Sequence, residues 1–565
     1  MRLEETRIAA EGAPSTSYCR VGDNRRMLEG PMATRPTFEL ANERAAALLP
    51  QANSRFLLHL TVVGAVLLGA MILMFPRFSG PIDPQDEGML LVYPQLMLHG
   101  SVANRDFFNG YPPGDFWILS GAYRLFSLDV GTERMVGAVY RLMIIGAIYG
   151  LASGRGPGVA GLCAAVSAAF VLCTHVAATP WQGALALTLW SVFLLSRAAA
   201  GRDGVGRTCL CLAAGLLAGL TICVRIDTPA AMVVGTSAIL LIGLPARLRW
   251  CFVAAASLGL LPLLVHLFVA GFSAVVQNCI VDCIFLSRAS RKLPIPPTDP
   301  DVRLMFYIVI IAEFMLAAEA VTLMLHRRVR SERFVPQATA VLALLCFPQA
   351  LQRLDAIHLT YVACVAVALL PAALDSILRQ LVPLIGKVLH GSVLTVAGIA
   401  TVGMVSNVRD ELWWRATRIS EGVQPYEFPV TRGGRTVPEH NAGYALALRA
   451  ACADVDRVSS RGDRLFVGPL DLRGTSIGDT FIYFLFPDRT PATYYLEMEP
   501  GVSNRPDSSL GNDIASAKVL ILSESLKVSG AGSVGGEAPI AVVQTRFRLF
   551  SRHDPYLVYV CSRAD

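Results

Sequence analysis

Residues 83–88 read Asp83-Pro84-Gln85-Asp86-Glu87-Gly88, and they come soon after an apolar run, Phe56–Phe75. Carboxylates at the water boundary of a membrane cost little solvation, whereas inside hydrocarbon they would be expensive and would signal function. The next segment, Met89–Leu98, has helical apolar spacing, which predicts a helix lying along the interface. Then come His99-Gly100, Arg105-Asp106 and the turn Gly110-Tyr111-Pro112-Pro113-Gly114. One carboxylate placed at an interface can act as a general base on an attacking hydroxyl. A second can orient the acceptor or bind a cation. An ordinary acidic loop would carry the same residues without that chemistry.

The rest of the chain supports a membrane setting. Of 565 residues, 53% are hydrophobic and only 16% are charged; mean hydropathy is +0.50. Ordinary soluble domains are about a quarter charged, so disorder is excluded and the composition argues against a purely soluble enzyme. The net charge of +6 is spread along the chain and does not indicate nucleic acid. Basic residues are 45 Arg against 4 Lys, a bias that GC-rich coding explains for most individual arginines.

A transmembrane helix needs about 20 apolar residues. The apolar runs predict eleven spans, at 56–76, 134–153, 158–177, 181–197, 208–225, 229–244, 250–272, 304–325, 335–351, 357–374 and 388–405. A further run, Phe116–Leu128, is short and carries Arg124, which predicts a juxtamembrane or re-entrant helix. With the N-terminal tail 1–54 inside, one set of loops holds Arg155; Arg197, Arg202 and Arg207; Arg247 and Arg249; Arg327, Arg328, Arg330 and Arg333; and Arg379 with Lys387. That satisfies the positive-inside rule. It predicts a multi-pass protein of a bacterial inner membrane with a cytoplasmic N-terminus and an extracytoplasmic C-terminal region. The opposite loops mix acids with bases: the first outer loop, 77–133, then Arg225 and Asp227, then Asp282 with Arg288, Arg291 and Lys292, then Arg353, Asp355 and His358.

The fold class read from the sequence is a mainly α polytopic membrane protein with a small C-terminal α/β domain. The membrane domain is expected over 55–405, a linker over 406–434 and the α/β domain over 435–565. Helices are predicted at Glu439–Val458 and Ser476–Phe486. Strands are predicted at Leu465–Val467, Ala492–Met498, Val519–Leu522, Ile540–Val543 and Tyr556–Val560, with a flexible loop at Gly530–Gly536. No Gly-rich phosphate loop or metal-ligand spacing is present. Most of the 13 cysteines lie in apolar stretches and behave as small hydrophobes. Cys452 and Cys561 could pair if the C-terminal region is outside the cytosol.

The order Asp86-Glu87, Gly100, Asp106 and Pro112-Pro113-Gly114 resembles the GT-C superfamily of integral-membrane glycosyltransferases, near the protein O-mannosyltransferase and aminoarabinose-transferase branch. Arg225-Ile-Asp227 resembles an Arg-x-Asp found after the sixth span of many bacterial members. Arg291-Lys-Leu-Pro294-Ile-Pro296 and Arg353-Leu-Asp355-Ala-Ile-His358 resemble recurring outer-loop motifs. The resemblance covers about 56–405. It implies transfer of a sugar from a polyprenyl-phosphate donor to a glycan, lipid or protein acceptor, usually with inversion. Asp86 is then the candidate base, Glu87 the second choice, and Asp106 a positioning group. Arg288, Arg291 and Lys292 are candidate phosphate contacts, with Arg225–Asp227 and Arg353–Asp355–His358 as alternatives; interfacial anchoring and structural ion pairs are the plain readings of the same residues. A divalent cation is compatible with the acidic loop, but no spacing identifies its ligands. The rival reading is a secondary transporter or lipid flippase using Glu313 and Glu319 inside span 304–325.

Overall fold

A computed structural model describes residues 37–201, 204–287, 293–325, 334–381, 387–422, 428–474, 478–524 and 535–562. Residues 58–565 form one compact unit, and Met1–Leu57 form another, whose described part is the start of the first helix. The helices of the membrane region are α1 (Thr37–Met74), α2 (Asp86–Leu98), α3 (Gly114–Leu125), α4 (Val130–Ala152), α5 (Pro157–Leu172), α6 (Pro180–Ala200), α7 (Val205–Val224), α8 (Thr228–Ile242), α9 (Ala246–Ala270), α10 (Phe272–Val276), α11 (Pro300–Leu325), α12 (Phe334–Cys346), α13 (Pro348–Gln352), α14 (Ala356–Leu381), α15 (Lys387–Met404) and α16 (Ser406–Glu421). A π-helical stretch, Gln277–Leu286, continues α10.

All eleven apolar runs are helical, but they are not eleven equal spans. Among the described residues eight helices are long and apolar enough to cross a membrane, or nine if one bent pair counts as a span. Two of the eleven, Pro157–Leu172 and Thr228–Ile242, are shorter than a span requires. The first stops at Leu172, not 177, because the chain leaves the helix there. The carbonyls of Val176 and Ala177 accept from Arg141, and the Ala178 amide donates to Glu133. The second meets Gly243 and Pro245, which end it. The bent pair is Leu389–Met404 followed by Ser406–Glu421, turned by 91°.

The described residues of the stretch expected as a linker, 406–422 and 428–434, are largely helix and hairpin. α16 occupies its first half. A hairpin of β1 (Pro429–Arg432) and β2 (Arg435–Pro438) follows, with Gly433 and Gly434 at φ 58 and 76 in its two-residue turn. Those left-handed angles are what a type I′ hairpin demands.

Beyond the hairpin lie α17 (Ala442–Val458), β3 (Arg464–Pro469), α18 (Ile482–Leu485), β4 (Thr490–Pro491), α19 (Leu510–Ala515), β5 (Val519–Ser523), α20 (Ala538–Arg546), β6 (Phe547–His553) and β7 (Tyr556–Cys561). The sheet order is β4-β3-β5-β7-β6, parallel for β4-β3-β5 and antiparallel for the rest. Two expected elements differ and one strand was not expected. Ala492–Met498 is irregular after the two-residue β4. Ile540–Val543 lies in helix α20, since four apolar residues suit a helix face as well as a strand. The strand β6, whose alternation is diluted by Arg548, Ser551 and Arg552, is additional. Cys452 is buried and Cys561 exposed, and both are free thiols. Gly530–Val534 lies outside the described residues, as does the start of the expected helix Ser476–Phe486, of which α18 is the helical part.

Two hydrophobic cores organise the molecule. The first runs through the helical bundle and is built from small side chains such as Ala147, Ala164, Ala186, Ala214 and Ala312. The second joins the first outer loop to the α/β domain: Leu90, Leu91 and Tyr93 of α2 pack with Val437, Leu448, Leu465, Phe481, Ile521 and Val558. Helix α2 is thus not an interfacial helix. Leu90, Leu91 and Tyr93 are fully buried and cover the α/β domain. Backbone bonds flank the acidic motif: the Ile82 amide donates to the Pro438 carbonyl at 2.9 Å and the Phe481 amide to the Pro84 carbonyl at 3.2 Å. Between them Gly88 allows the close approach, since a Cβ there would sit 2.4 Å from the Phe481 nitrogen.

Gly88→Ala should therefore force α2 off α18 at an overpacking cost of about 1–3 kcal/mol. The measurement is thermal unfolding together with limited proteolysis of the purified protein. A lower melting temperature with new cleavage in 428–562 is expected.

Candidate functional site

Glu87 is 2% exposed and Arg134 is 1% exposed. Arg134 Nε donates to Glu87 Oε1 at 2.6 Å and Nη2 to Oε2 at 2.9 Å. The same guanidinium donates to the carbonyls of Phe78, Gly80 and Pro81 at 2.9, 2.9 and 3.1 Å. Glu87 Oε2 also accepts the Asp83 amide at 2.7 Å. Burial works to raise the Glu87 pKa, but the charge and hydrogen bonds of Arg134 outweigh it and hold the carboxyl below its ordinary value. A carboxylate so engaged is a poor proton acceptor. Its contacts tie the start of α2 to the chain that precedes it.

Asp86 occupies the first turn of α2 and is exposed. Its amide donates to Asp83 Oδ1 at 2.6 Å, so Asp83 starts the helix. The Asp86 charge acts on Tyr361, near the start of α14, and so do the charges of Arg141 and Arg225. That tyrosine marks where separate segments converge. Tyr361 packs on Trp181 with ring centroids 5.5 Å apart. Arg225, at the end of α7, lies over the rings of Tyr111 and Trp181 at 4.7 and 5.4 Å.

Arg225 is held by Asp227 through a two-pronged pair, Nε to Oδ1 at 2.8 Å and Nη2 to Oδ2 at 2.5 Å. Gln352 of α13 donates to Asp227 Oδ2 at 3.4 Å. Burial opposes both charges, yet each partner offsets it: the Arg225 pKa is raised and the Asp227 pKa lowered. Such a fork is preorganised for anionic oxygens. Around it several buried polar atoms have no hydrogen-bond partner, namely Trp181 Nε1, Gln182 Oε1 and Gln349 Oε1. Buried polar groups are normally satisfied, and unpaired ones cluster where a ligand or water supplies the partner.

The other sequence-derived residues divide. Arg353 pairs with Asp355 at 3.0 Å, and Asp355 accepts His358 Nδ1 and the His358 amide at 2.8 and 2.9 Å, a cap on α14 one turn before Tyr361. Burial would raise Asp355, but His358 and then Arg353 keep it below its ordinary value. Asp106 is not shown in contact with the convergence point. It is partly exposed, pairs with the neighbouring Arg105 at 2.9 Å and accepts the Val102 amide at 2.7 Å, closing its own loop. Arg288, Arg291 and Lys292 lie outside the described residues. Asp83, Glu87 and Asp106 of the loop each meet an arginine or a backbone amide. Among the described residues no three His, Cys, Asp or Glu side chains gather as a metal site.

Several site residues escaped the sequence reading. Arg134 and Arg141 were inside the run 134–153, where a charged side chain in an apolar span is itself the signal. Arg141 is 1% exposed and donates to the carbonyls of Gly137, Val176 and Ala177 and to Thr174, which shapes the turn before Trp181. Asp115, after the Pro-Pro-Gly turn, is fully buried and accepts Tyr140 Oη at 2.8 Å. Burial pushes its carboxyl up to about 7. Trp181 and Gln182 carried no recognisable pattern, because they matter through where α6 begins.

Removing either half of the Glu87–Arg134 pair should cost about 3–5 kcal/mol, since the survivor is left buried and charged. Glu87 has a lowered folded-state pKa, so its stabilisation is complete above the unfolded value, ~4.3, and is lost as pH falls through the folded value. Urea or thermal unfolding of wild type and Glu87→Gln across pH 7 to 3 checks this. The gap between them should be largest near neutrality and close on acidification.

No family model matches the sequence, and no protein of curated function matches it. Solved structures do. ArnT from Cupriavidus metallidurans bound to undecaprenyl phosphate superposes with a TM-score of 0.53 at 14% identity, over 89% of this chain and 99% of that one. The oligosaccharyltransferase of Archaeoglobus fulgidus, solved with zinc and sulfate, gives 0.45 at 10% identity over 88% and 73%. Mycobacterial arabinofuranosyltransferase AftD gives 0.44 at 15% identity over 90% and 42%. The last two scores are below the level that establishes a shared fold. The first spans both chains almost entirely, and this chain shares the fold of that structure.

Proposed function

We propose that the protein is a membrane glycosyltransferase that moves a sugar from a polyprenyl-phosphate donor to an acceptor hydroxyl. One observation carries the reading: Tyr361 lies under the charges of both Asp86 and Arg225, which brings an exposed carboxylate and a buried guanidinium to one end of the bundle. The structural neighbour bound to undecaprenyl phosphate supports a lipid-linked donor. The acceptor, a glycan, lipid or protein, presents a hydroxyl whose oxygen attacks the anomeric carbon. Asp86 takes its proton, the new C–O bond forms as the sugar–phosphate bond breaks, and the polyprenyl phosphate leaves with the electron pair. Attack from the face opposite the leaving group inverts the anomeric centre.

A phosphate monoester is a stable anion, so it needs N–H donors more than an acid. Arg225 would supply them. Its Nε and Nη2 serve Asp227, and among the described residues no hydrogen bond is recorded for Nη1. Arg353, held by Asp355, and the segment with Arg288, Arg291 and Lys292 are further donors in this reading. The ends bearing Arg155, Arg197, Arg207, Arg247, Arg249 and Arg379 are the opposite ends of α4, α6, α7, α9 and α14 from the site. By the positive-inside rule the site and the α/β domain then face the extracytoplasmic side of a bacterial inner membrane.

The transport reading has one observation behind it, a buried Glu313 oxygen without a partner. Its second residue is accounted for, because Glu319 is hydrogen-bonded to Arg155.

Asp86→Asn should lower transfer from a polyprenyl-phosphate sugar by about 10²–10⁴-fold with folding intact. Arg225→Lys, which loses the fork, should lower it by about 10²–10³-fold, as expected for a lost oxyanion donor. Radiolabelled sugar transfer in reconstituted vesicles reads both. Wild-type turnover in Asp86→Asn, with loss of function in Glu313→Gln instead, would favour transport.

A further inference from the structure

Asp115 stands in the first turn of α3, directly after the Pro-Pro-Gly turn, and two glycines set the close packing around it. A Cβ on Gly114 would lie 2.4 Å from the Cys223 carbonyl oxygen, at the end of α7 just before Arg225. A Cβ on Gly183, in the first turn of α6 and two residues after Trp181, would lie 3.1 Å from Asp115 Oδ1. The carboxyl therefore sits where α3 meets the helix ends that carry Arg225 and Trp181. It is fully buried. Oδ1 accepts Tyr140 Oη at 2.8 Å, and Oδ2 is buried with no hydrogen-bond partner.

The arginines on the surrounding helices are engaged elsewhere. Arg134 serves Glu87, Arg141 the carbonyls of Gly137, Val176 and Ala177, and Arg225 serves Asp227. The other titratable groups at these ends are Glu87 and Tyr93 of α2, Tyr123 of α3, Glu133 of α4 and Cys223 of α7; the first turn of α6 brings none. The charges acting beside Asp115 on Tyr123 and Tyr140 are those of Glu87, Asp129 and Glu133, all acids. Burial pushes the Asp115 carboxyl up to about 7, and the Tyr140 bond pulls the other way. A buried carboxylate with one donor and no cation is far costlier than the protonated acid. We propose that Asp115 is a positioning residue that works as the neutral acid: protonated, it lets α3 close on α4, α6 and α7 and so holds Arg225 and Trp181 in place, and loss of the proton slackens the donor site. The activity part rests on the transferase reading above, whereas the stability part does not. With Asp86 as the ionised base and Asp115 as the neutral support, the pH profile of transfer is bell-shaped, its acid limb set by the first and its alkaline limb by the second.

The test follows kcat/KM for a polyprenyl-phosphate sugar from pH 5 to 9.5 in reconstituted vesicles, for wild type, Asp115→Asn and Tyr140→Phe. Above the midpoint of its alkaline limb wild type should lose about tenfold per pH unit, as the protonated fraction does. Asp115→Asn, which keeps the neutral shape, should retain transfer and lack the limb. Tyr140→Phe removes the one bond that favours the carboxylate, so its limb should move to higher pH, a shift that loss of packing alone would not give. Thermal unfolding of the same proteins is the second readout. The folded value of Asp115 lies above the unfolded one, ~3.9, so its contribution to stability is complete below that value and is lost as pH rises to about 7. The melting temperature of Asp115→Asn should therefore draw ahead of wild type between pH 5 and 7 and keep that lead at higher pH. An alkaline limb that persists in Asp115→Asn, a wild-type profile flat to pH 9.5, or loss of transfer at every pH in a folded Asp115→Asn would overturn the proposal. If Asp115→Asn does not fold, the direction of the Tyr140→Phe shift decides. If wild type shows no transfer at all, the transferase reading falls, and the unfolding lead alone decides for or against a neutral Asp115.

Discussion

The buried pair of Glu87 with Arg134 is the interaction on which the site geometry depends. A lone ion of either sign would be too costly at 1–2% exposure. The pair is tolerated because the guanidinium spends its other donors on the carbonyls of Phe78, Gly80 and Pro81. Those carbonyls belong to the chain between the first membrane helix and α2. One arginine therefore fixes where the first helix ends, how the loop turns and which way α2 starts. Successive helical residues point about 100° apart. With Glu87 locked inward, Asp86 is turned outward.

The α/β domain is the second constraint on the same loop. It holds the residues on either side of Asp83 by backbone bonds, to Pro438 and Phe481, and its core continues into α2 through Leu90, Leu91 and Tyr93. Backbone bonds do not depend on side-chain identity, so Gly88 is the position where sequence matters, as no Cβ fits against Phe481. The acidic motif is thus clamped from the membrane bundle on one side and from the sheet domain on the other.

Much of the scaffold was legible in the sequence, and the reason is specific. Helices that face lipid must be apolar for their whole length, so hydropathy finds them, and all eleven runs proved helical. Hydropathy did not find where α5 ends, because that end is set by Arg141 and Glu133 across the bundle. The acidic motif was legible as chemistry, but the roles within it were not. Asp86 and Glu87 are the same kind of residue side by side, and only a partner 47 residues away distinguishes them. Asp106 matched a pattern, yet its hydrogen bonds close a local turn. Trp181, Gln182 and Tyr361 had no motif at all, being brought together by the starts of two helices, α6 and α14. In the C-terminal region, short apolar runs such as Ile540–Val543 suit strand and helix alike, and tertiary packing decided between them.

The arginine bias, which composition alone explains as coding, takes on a structural meaning once pairs are assigned. Glu319 is drawn to Arg155 at the end of α4, and Asp375 to Arg379 one turn away. An acid neutralised in this way within the membrane region ties one helix to a neighbouring segment or to its own next turn. The same logic separates the acids at the other end. Glu87, Asp227 and Asp355 each meet an arginine and hold backbone or helix ends in place. The acids of this end also differ in how far they stand from water: Asp86, in the first turn of α2, is exposed, whereas Asp115 is fully buried. Burial favours the protonated form of a carboxyl, whereas an exposed one keeps its charge. In the proposed reaction that exposure is what suits Asp86 to take a proton from an incoming hydroxyl.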